Sequence, residues 1–168
     1  MAVYEISATT TVAASPEQVW AVLDDFSGWT DWMPAMNNLH VDHLTAGPPR
    51  RGYRFRLRGR IARAELEVTS YQPMERATRF RLNVPPLTGD NRCRLEPLGN
   101  GKYRIVRSDR LNLPGPVVKF LDSTQRERFE RLAVEFVLAL KKATENKTPA
   151  EQRPAEQRPA EQRTKNRE

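Results

Sequence analysis

Between residues 53 and 96 apolar and polar side chains alternate with a period of two. Tyr53, Phe55 and Leu57 alternate with Arg54, Arg56 and Arg58; Ala64, Leu66 and Val68 with Glu65, Glu67 and Thr69; Phe80, Leu82 and Val84 with Arg79, Arg81 and Asn83; Cys93 and Leu95 with Arg92, Arg94 and Glu96. Successive side chains of a strand point to opposite faces, so each run predicts a strand with one face buried and the other in water. Turn signals stand between the runs at Ala46-Gly47-Pro48-Pro49, Arg58-Gly59, Gln72-Pro73, Pro85-Pro86, Thr88-Gly89-Asp90 and Gly99-Asn100-Gly101. Parallel strands need long crossovers, so such short spacing predicts an antiparallel meander. "YEISATTTV" and "MNNLHVDHL" add a first and a second strand ahead of it.

The period changes to three and four at both ends of this region. Ser15-Pro16-Glu17 is a helix start, with a serine cap, proline in the first turn and an acid at the positive end of the dipole. Val19, Trp20, Val22, Leu23 and Phe26 supply its apolar face; Ser27-Gly28 ends it, and a second short helix runs through Trp29 to Met33 ahead of Pro34. Near the other end Phe129, Leu132, Ala133, Phe136, Val137 and Leu140 recur at helical spacing within a run of charges, predicting one long helix from Pro116 to about Asn146. Pro149 to Arg163 is PAEQR three times over, with no aliphatic side chain larger than alanine. Such a segment buries too little apolar surface to offset its ordering entropy, which predicts a domain over residues 1–147 and a disordered tail over 148–168.

A sheet with one apolar face has to be covered, and the C-terminal helix is the element long enough to do it. A strongly curved sheet closed over one helix leaves a hollow in which a small molecule can bind. With "AASPEQVWAVLDDFSGWTDWMP", "RGYRFRL", "YQPMERATRF", "CRLEPLGNGKYRI" and "LPGPVVKFL" in this order, the chain from about Val3 to Lys142 resembles the START/Bet v 1-like superfamily, in its polyketide cyclase/dehydrase-type branch. The resemblance implies an α+β helix-grip fold: a curved antiparallel sheet of about seven strands around a long C-terminal helix, two short helices between strands one and two, and an internal cavity for an apolar or amphipathic ligand. It supplies no catalytic set, because members include cyclases, lipid carriers, receptors and co-chaperones.

Charge modifies this picture in one respect. The first 49 residues carry six acids and no lysine or arginine, whereas residues 50–131 carry twenty basic against nine acidic side chains. The arginines at 54, 56, 58, 79, 81, 92 and 94 share the outward face of neighbouring strands. Their alternating partners are expected to be buried, which leaves no exposed aromatics for base stacking and favours a solvated face over nucleic-acid binding. Cys93 is the single cysteine, so no internal disulfide forms and a reducing compartment is expected. "MAVYEISATTTVAAS" has no positive leader, and no run of 18 apolar residues occurs anywhere, predicting a soluble, cytoplasmic protein without membrane insertion.

Trp20 has the helical spacing of a core residue. Trp29, Trp32 and Met33 fall where the mouth of a helix-grip cavity would be, with lining and simple packing both open to them. Tyr53, Phe55, Leu66, Phe80, Leu82 and Leu95 face inward by alternation, and Phe129, Leu132 and Phe136 face them from the helix, as core or as cavity wall. The phenol of Tyr53 offers an apolar pocket one orienting hydrogen bond. In "KYRIVRSDRLNL" the alternation is ambiguous. If Tyr103 and Ile105 point inward, so do Arg107 and Asp109, a pair able to polarise a carbonyl and move a proton; otherwise Val106, Ser108 and Arg110 do. His40 and His43 point to opposite faces of a strand and form no joint metal site, while Asp24, Asp25 and Asp31 fit helix ends, turns and solvation. No cofactor motif, phosphate loop or nucleophile elbow is present. The expected function is binding, transport or sensing of a hydrophobic or aromatic small molecule. The alternatives are a cyclase or dehydratase using Arg107, Asp109 and Tyr53 on a polyketide-like substrate, and a partner- or nucleic-acid-binding arginine face.

Overall fold

The structure, a computed structural model, describes residues 1–147, and the expected tail at 148–168 lies outside the described residues. The order is β1 (Ala2–Val12), α1 (Pro16–Leu23), a 3-10 turn (Phe26–Gly28), α2 (Trp29–Trp32), β2 (His40–His43), β3 (Arg54–Arg58), β4 (Arg63–Gln72), β5 (Glu75–Asn83), β6 (Pro86–Gly99), β7 (Lys102–Leu113), α3 (Gly115–Thr124) and α4 (Arg126–Lys147). All pairings are antiparallel, in the sheet order β1-β7-β6-β5-β4-β3-β2. The meander, the two short helices and the curved seven-stranded sheet around a C-terminal helix make up the helix-grip fold expected from the sequence.

Helix α1 is fixed at its start by a reciprocal cap. The Gln18 amide N–H donates to Ser15 Oγ at 3.3 Å, and the Ser15 N–H donates to Gln18 Oε1 at 2.8 Å, satisfying two donors that the helix cannot satisfy itself. Its Val19, Trp20, Val22 and Leu23 are buried, and the Trp20 indole N–H donates to the Pro73 carbonyl at 2.8 Å, tying the helix to the β4–β5 hairpin. Helix α4 packs on β1, β7 and α1 through buried Ala133, Phe136, Val137 and Leu140.

Two sequence expectations change. The long helix is broken at Gln125, whose φ of −125° leaves the helical region. Ser123 and Thr124 sit at the break with their hydroxyls donating back to the Phe120 carbonyl, and α3 is held less deeply than α4: Val118 and Leu121 pack partly buried against the core, and no α3 residue is fully buried. Thr88-Gly89-Asp90 is no turn: β6 runs straight through it. A Cβ at Gly89 would overlap the Arg110 carbonyl and the Phe80 ring, so the glycine admits a close approach inside the strand.

Candidate functional site

The register places side chains in rows across the inner face of the sheet. Arg76, Cys93, Arg107 and Ala8 form one row across β5, β6, β7 and β1; Thr78, Asn91, Asp109 and Ile6 form the next; Phe80, Gly89, Leu111 and Tyr4 form a third. Rows on one face are two residues apart, about 7 Å. A polar band therefore crosses a face that is otherwise apolar, with Leu95 and Ile105 on its other side. The ambiguity of the last strand resolves the same way: Ile105 is fully buried, and Arg107 and Asp109 share its face.

Two ion pairs occupy the band. Arg107 Nε donates to the Asp109 carboxylate oxygens at 2.9 and 3.1 Å, its Nη2 lies 2.8 Å from Oδ1, and the guanidinium lies 3.6 Å over the Phe136 ring of α4. These side chains are 16% and 24% exposed, enough burial to lengthen the reach of their charges. Arg76 meets Asp24 at 3.0 Å, with 12% and 17% exposure, and stacks on Trp20 at 4.7 Å and Tyr71 at 3.7 Å. The Tyr71 hydroxyl donates to the same carboxylate at 3.1 Å, and Arg76 donates to the Gln72 and Glu75 carbonyls. Between the two arginines lies the Cys93 thiol, which burial pushes up to about 12.

Two compartments lie between sheet and helices. The smaller, of about 130 Å³, is walled by Leu23, Phe26, Trp29, Leu66 and Val68 and carries Asp24 and Arg76. The larger, of about 310 Å³, is walled by Tyr4, Ile6, Leu111, Phe129, Ala133 and Phe136 and carries Asp109. They meet at Met33, Asn91 and Arg107, which line both. Leu132, 42% exposed, and Pro34 and Ala35, on the loop after α2, stand on the outer side of the larger compartment. Burial has also left two polar atoms without a hydrogen-bond partner among the described residues, the Tyr4 hydroxyl and the Trp32 indole nitrogen.

Of the residues singled out from the sequence, Trp29, Met33, Leu66, Arg107, Asp109, Phe129, Leu132 and Phe136 come together on these walls. Trp32, Tyr53, Phe55, Leu82, Leu95 and Phe80 do not line either compartment. Phe55 is sealed beneath Phe26, the rings stacked at 4.0 Å, and Trp32 leans on Phe136. Phe80 lies across Gly89, and Leu95 is packed in the core. The Tyr53 hydroxyl meets His43 Nδ1 at 2.8 Å, and His43 Nε2 meets Ser27 Oγ at 2.7 Å, so the phenol serves a hollow on the other side of Phe26. Arg76, Thr78 and Asn91 also line these compartments, and the alternation carries the signal: continuing Phe80–Leu82 back two and four residues reaches Thr78 and Arg76, and continuing Cys93–Leu95 back two reaches Asn91. Asp24 does end α1, but its carboxylate turns to Arg76. Five of the seven outward arginines have ion pairs along the outer face, Arg54 and Arg56 with Glu65, Arg58 with Asp42, Arg79 with Asp90 and Arg92 with Glu75. Among the described residues no helix is long and apolar enough to cross a membrane, and no group of three potential metal ligands occurs.

Similar architecture occurs in solved structures. A START superfamily protein from Mycobacterium smegmatis is 23% identical, with 86% of this chain and 99% of that chain covered and a TM-score of 0.61. The Zhui aromatase/cyclase from a Streptomyces species is 20% identical, with 90% and 99% covered and a TM-score of 0.61. Norcoclaurine synthase from Thalictrum flavum, in complex with dopamine and hydroxybenzaldehyde, is 13% identical, with 88% and 90% covered and a TM-score of 0.62. No curated protein matches the chain in sequence. Residues 4–145 match the family described as "Polyketide cyclase / dehydrase and lipid transport", and on that match the chain belongs to this family.

Proposed function

We propose that the protein binds a hydrophobic or aromatic small molecule in the paired compartments between the sheet and α4. The observation that carries this reading is a largely apolar hollow crossed by one polar band. Apolar walls supply affinity through water release, while a few fixed polar groups orient the guest. An engineered cavity of about 150 Å³ takes benzene, so on that scale the larger compartment, of about 310 Å³, has room for two rings, and the smaller, of about 130 Å³, falls just short of one. The Thalictrum flavum neighbour, solved with two aromatic molecules, uses the same fold.

The test is a titration with Nile red, an uncharged dye whose fluorescence rises in apolar surroundings. One-to-one binding that disappears in Ala133→Phe, which fills the larger compartment from its α4 wall, supports the reading. Absence of stoichiometric binding, together with no small molecule in native mass spectra of protein purified from its own host, would sink it. A second reading, cyclase or dehydratase chemistry, is favoured by the position of Arg107 and Asp109 inside the hollow, where a guanidinium can polarise a carbonyl and a carboxylate can take a proton. It predicts that Asp109→Asn abolishes turnover of a polyketide-like substrate and leaves binding in place; unchanged turnover removes Asp109 as the base.

A further inference from the structure

Every charged side chain that lines the two compartments is already matched. Asp24 is held by Arg76 and Arg107 by Asp109; Arg92 borders the smaller compartment from the outward face of β6, its side chain more than half exposed and near Glu75. The hollow therefore has charged groups but no spare charge. A carboxylate brought inside has two options. It displaces Asp109 from Arg107 and strands a largely buried carboxylate, or it shares Arg107 with Asp109 and sets two like charges side by side; both are unfavourable. An uncharged oxygen meets neither obstacle, and it answers a group the fold leaves unanswered. Tyr4 is 2% exposed, lines the larger compartment, and has a hydroxyl with no hydrogen-bond partner among the described residues. Such a hydroxyl gains a bond from a guest that supplies a donor or acceptor. Asn91 and the Arg107 hydrogens that face away from Asp109 add further hydrogen-bonding groups beside it.

We infer that Asp109 is the specificity-determining residue of this cavity. By closing the charge of Arg107 it selects an uncharged ring ligand whose oxygen is taken by Tyr4, and it excludes carboxylates of the same shape. This rests on the ligand-binding reading above.

Isothermal titration calorimetry at pH 7 with 2-naphthol and 2-naphthoate compares one ring system with an un-ionised hydroxyl and an ionised carboxyl. The expected result is at least tenfold tighter binding of naphthol, about 1.4 kcal/mol. In Asp109→Asn the released guanidinium raises naphthoate affinity at least tenfold while naphthol changes about threefold or less. In Tyr4→Phe naphthol weakens at least threefold and Nile red is unaffected. Naphthoate binding as tightly as naphthol to the wild type, an unaltered preference in a folded Asp109→Asn, or unaltered naphthol affinity in Tyr4→Phe overturns the inference. Should Asp109→Asn fail to fold, the wild-type preference and the Tyr4→Phe comparison still decide. Nile red binding without either naphthalene overturns the inference and leaves the cavity reading standing; loss of all three removes both.

Discussion

At Cys93 burial sets a pH dependence. An unfolded thiol ionises near 8.5, whereas the folded one stays protonated up to about 12. Above about pH 8.5 the unfolded state therefore loses a proton that the folded state keeps, and stability falls by up to about 1.4 kcal/mol per pH unit. Urea midpoints at pH 8 and pH 10 should drop further for wild type than for Cys93→Ala, which has no thiol to ionise; equal drops would contradict this origin. Gly89→Ala forces a methyl into the Arg110 carbonyl and the Phe80 ring, and should cost about 1–3 kcal/mol in the same assay, since backbone cannot move aside as a flexible side chain can. Residues of this kind differ in how readable they are from sequence. Arg107 and Asp109 were legible as one of two alternatives, decided by the pairing of Ile105 with Leu95. Tyr53 was legible as an inward residue, but which hollow its hydroxyl served depended on His43, a residue of the neighbouring strand that no local spacing reveals.

Among the elements, α1 depends on both of its ends. Ser15→Ala removes the reciprocal cap and should lower stability by about 1 kcal/mol, with Ser15→Asp recovering most of it. Asp24→Ala strands Arg76 between Trp20 and Tyr71 and should cost about 2–3 kcal/mol, measured as a shift in denaturant midpoint; a loss below about 0.5 kcal/mol would mean that water already satisfies the guanidinium. The strands were legible because period-two alternation reports directly on a one-sided sheet. The helix break was not, because Val117, Val118, Phe120 and Leu121 continue a helical apolar pattern into α3, and only tertiary packing distinguishes Val118 and Leu121, which lean on the core, from Phe120, which is 61% exposed. Likewise Thr88-Gly89-Asp90 carries a turn composition, yet the space that Phe80 requires keeps it in the strand.

For the molecule as a whole, a guest that binds only the folded state adds stability by mass action. At a ligand concentration a hundred times Kd the gain is about 2.7 kcal/mol. In a domain of this size that raises Tm by roughly 5–10 °C. A thermal scan with the naphthol probe should show this shift in wild type and lose it in Ala133→Phe, a comparison independent of heats of binding. The arrangement of the sheet, with β1 beside β7, also constrains how the molecule is made. Ala2 pairs with Leu113 and Val12 with Tyr103, so the first strand of the chain closes against the last, roughly a hundred residues later. A ribosome releases residues from the N-terminus onward, and β1 therefore emerges well before its partner exists, its alternate apolar positions uncovered until β7 and α4 follow. At about 5–20 residues per second the intervening stretch takes on the order of 5–20 s to make, longer than the milliseconds to seconds needed to close the pair, so the nascent chain spends most of its synthesis with a strand edge in search of a partner.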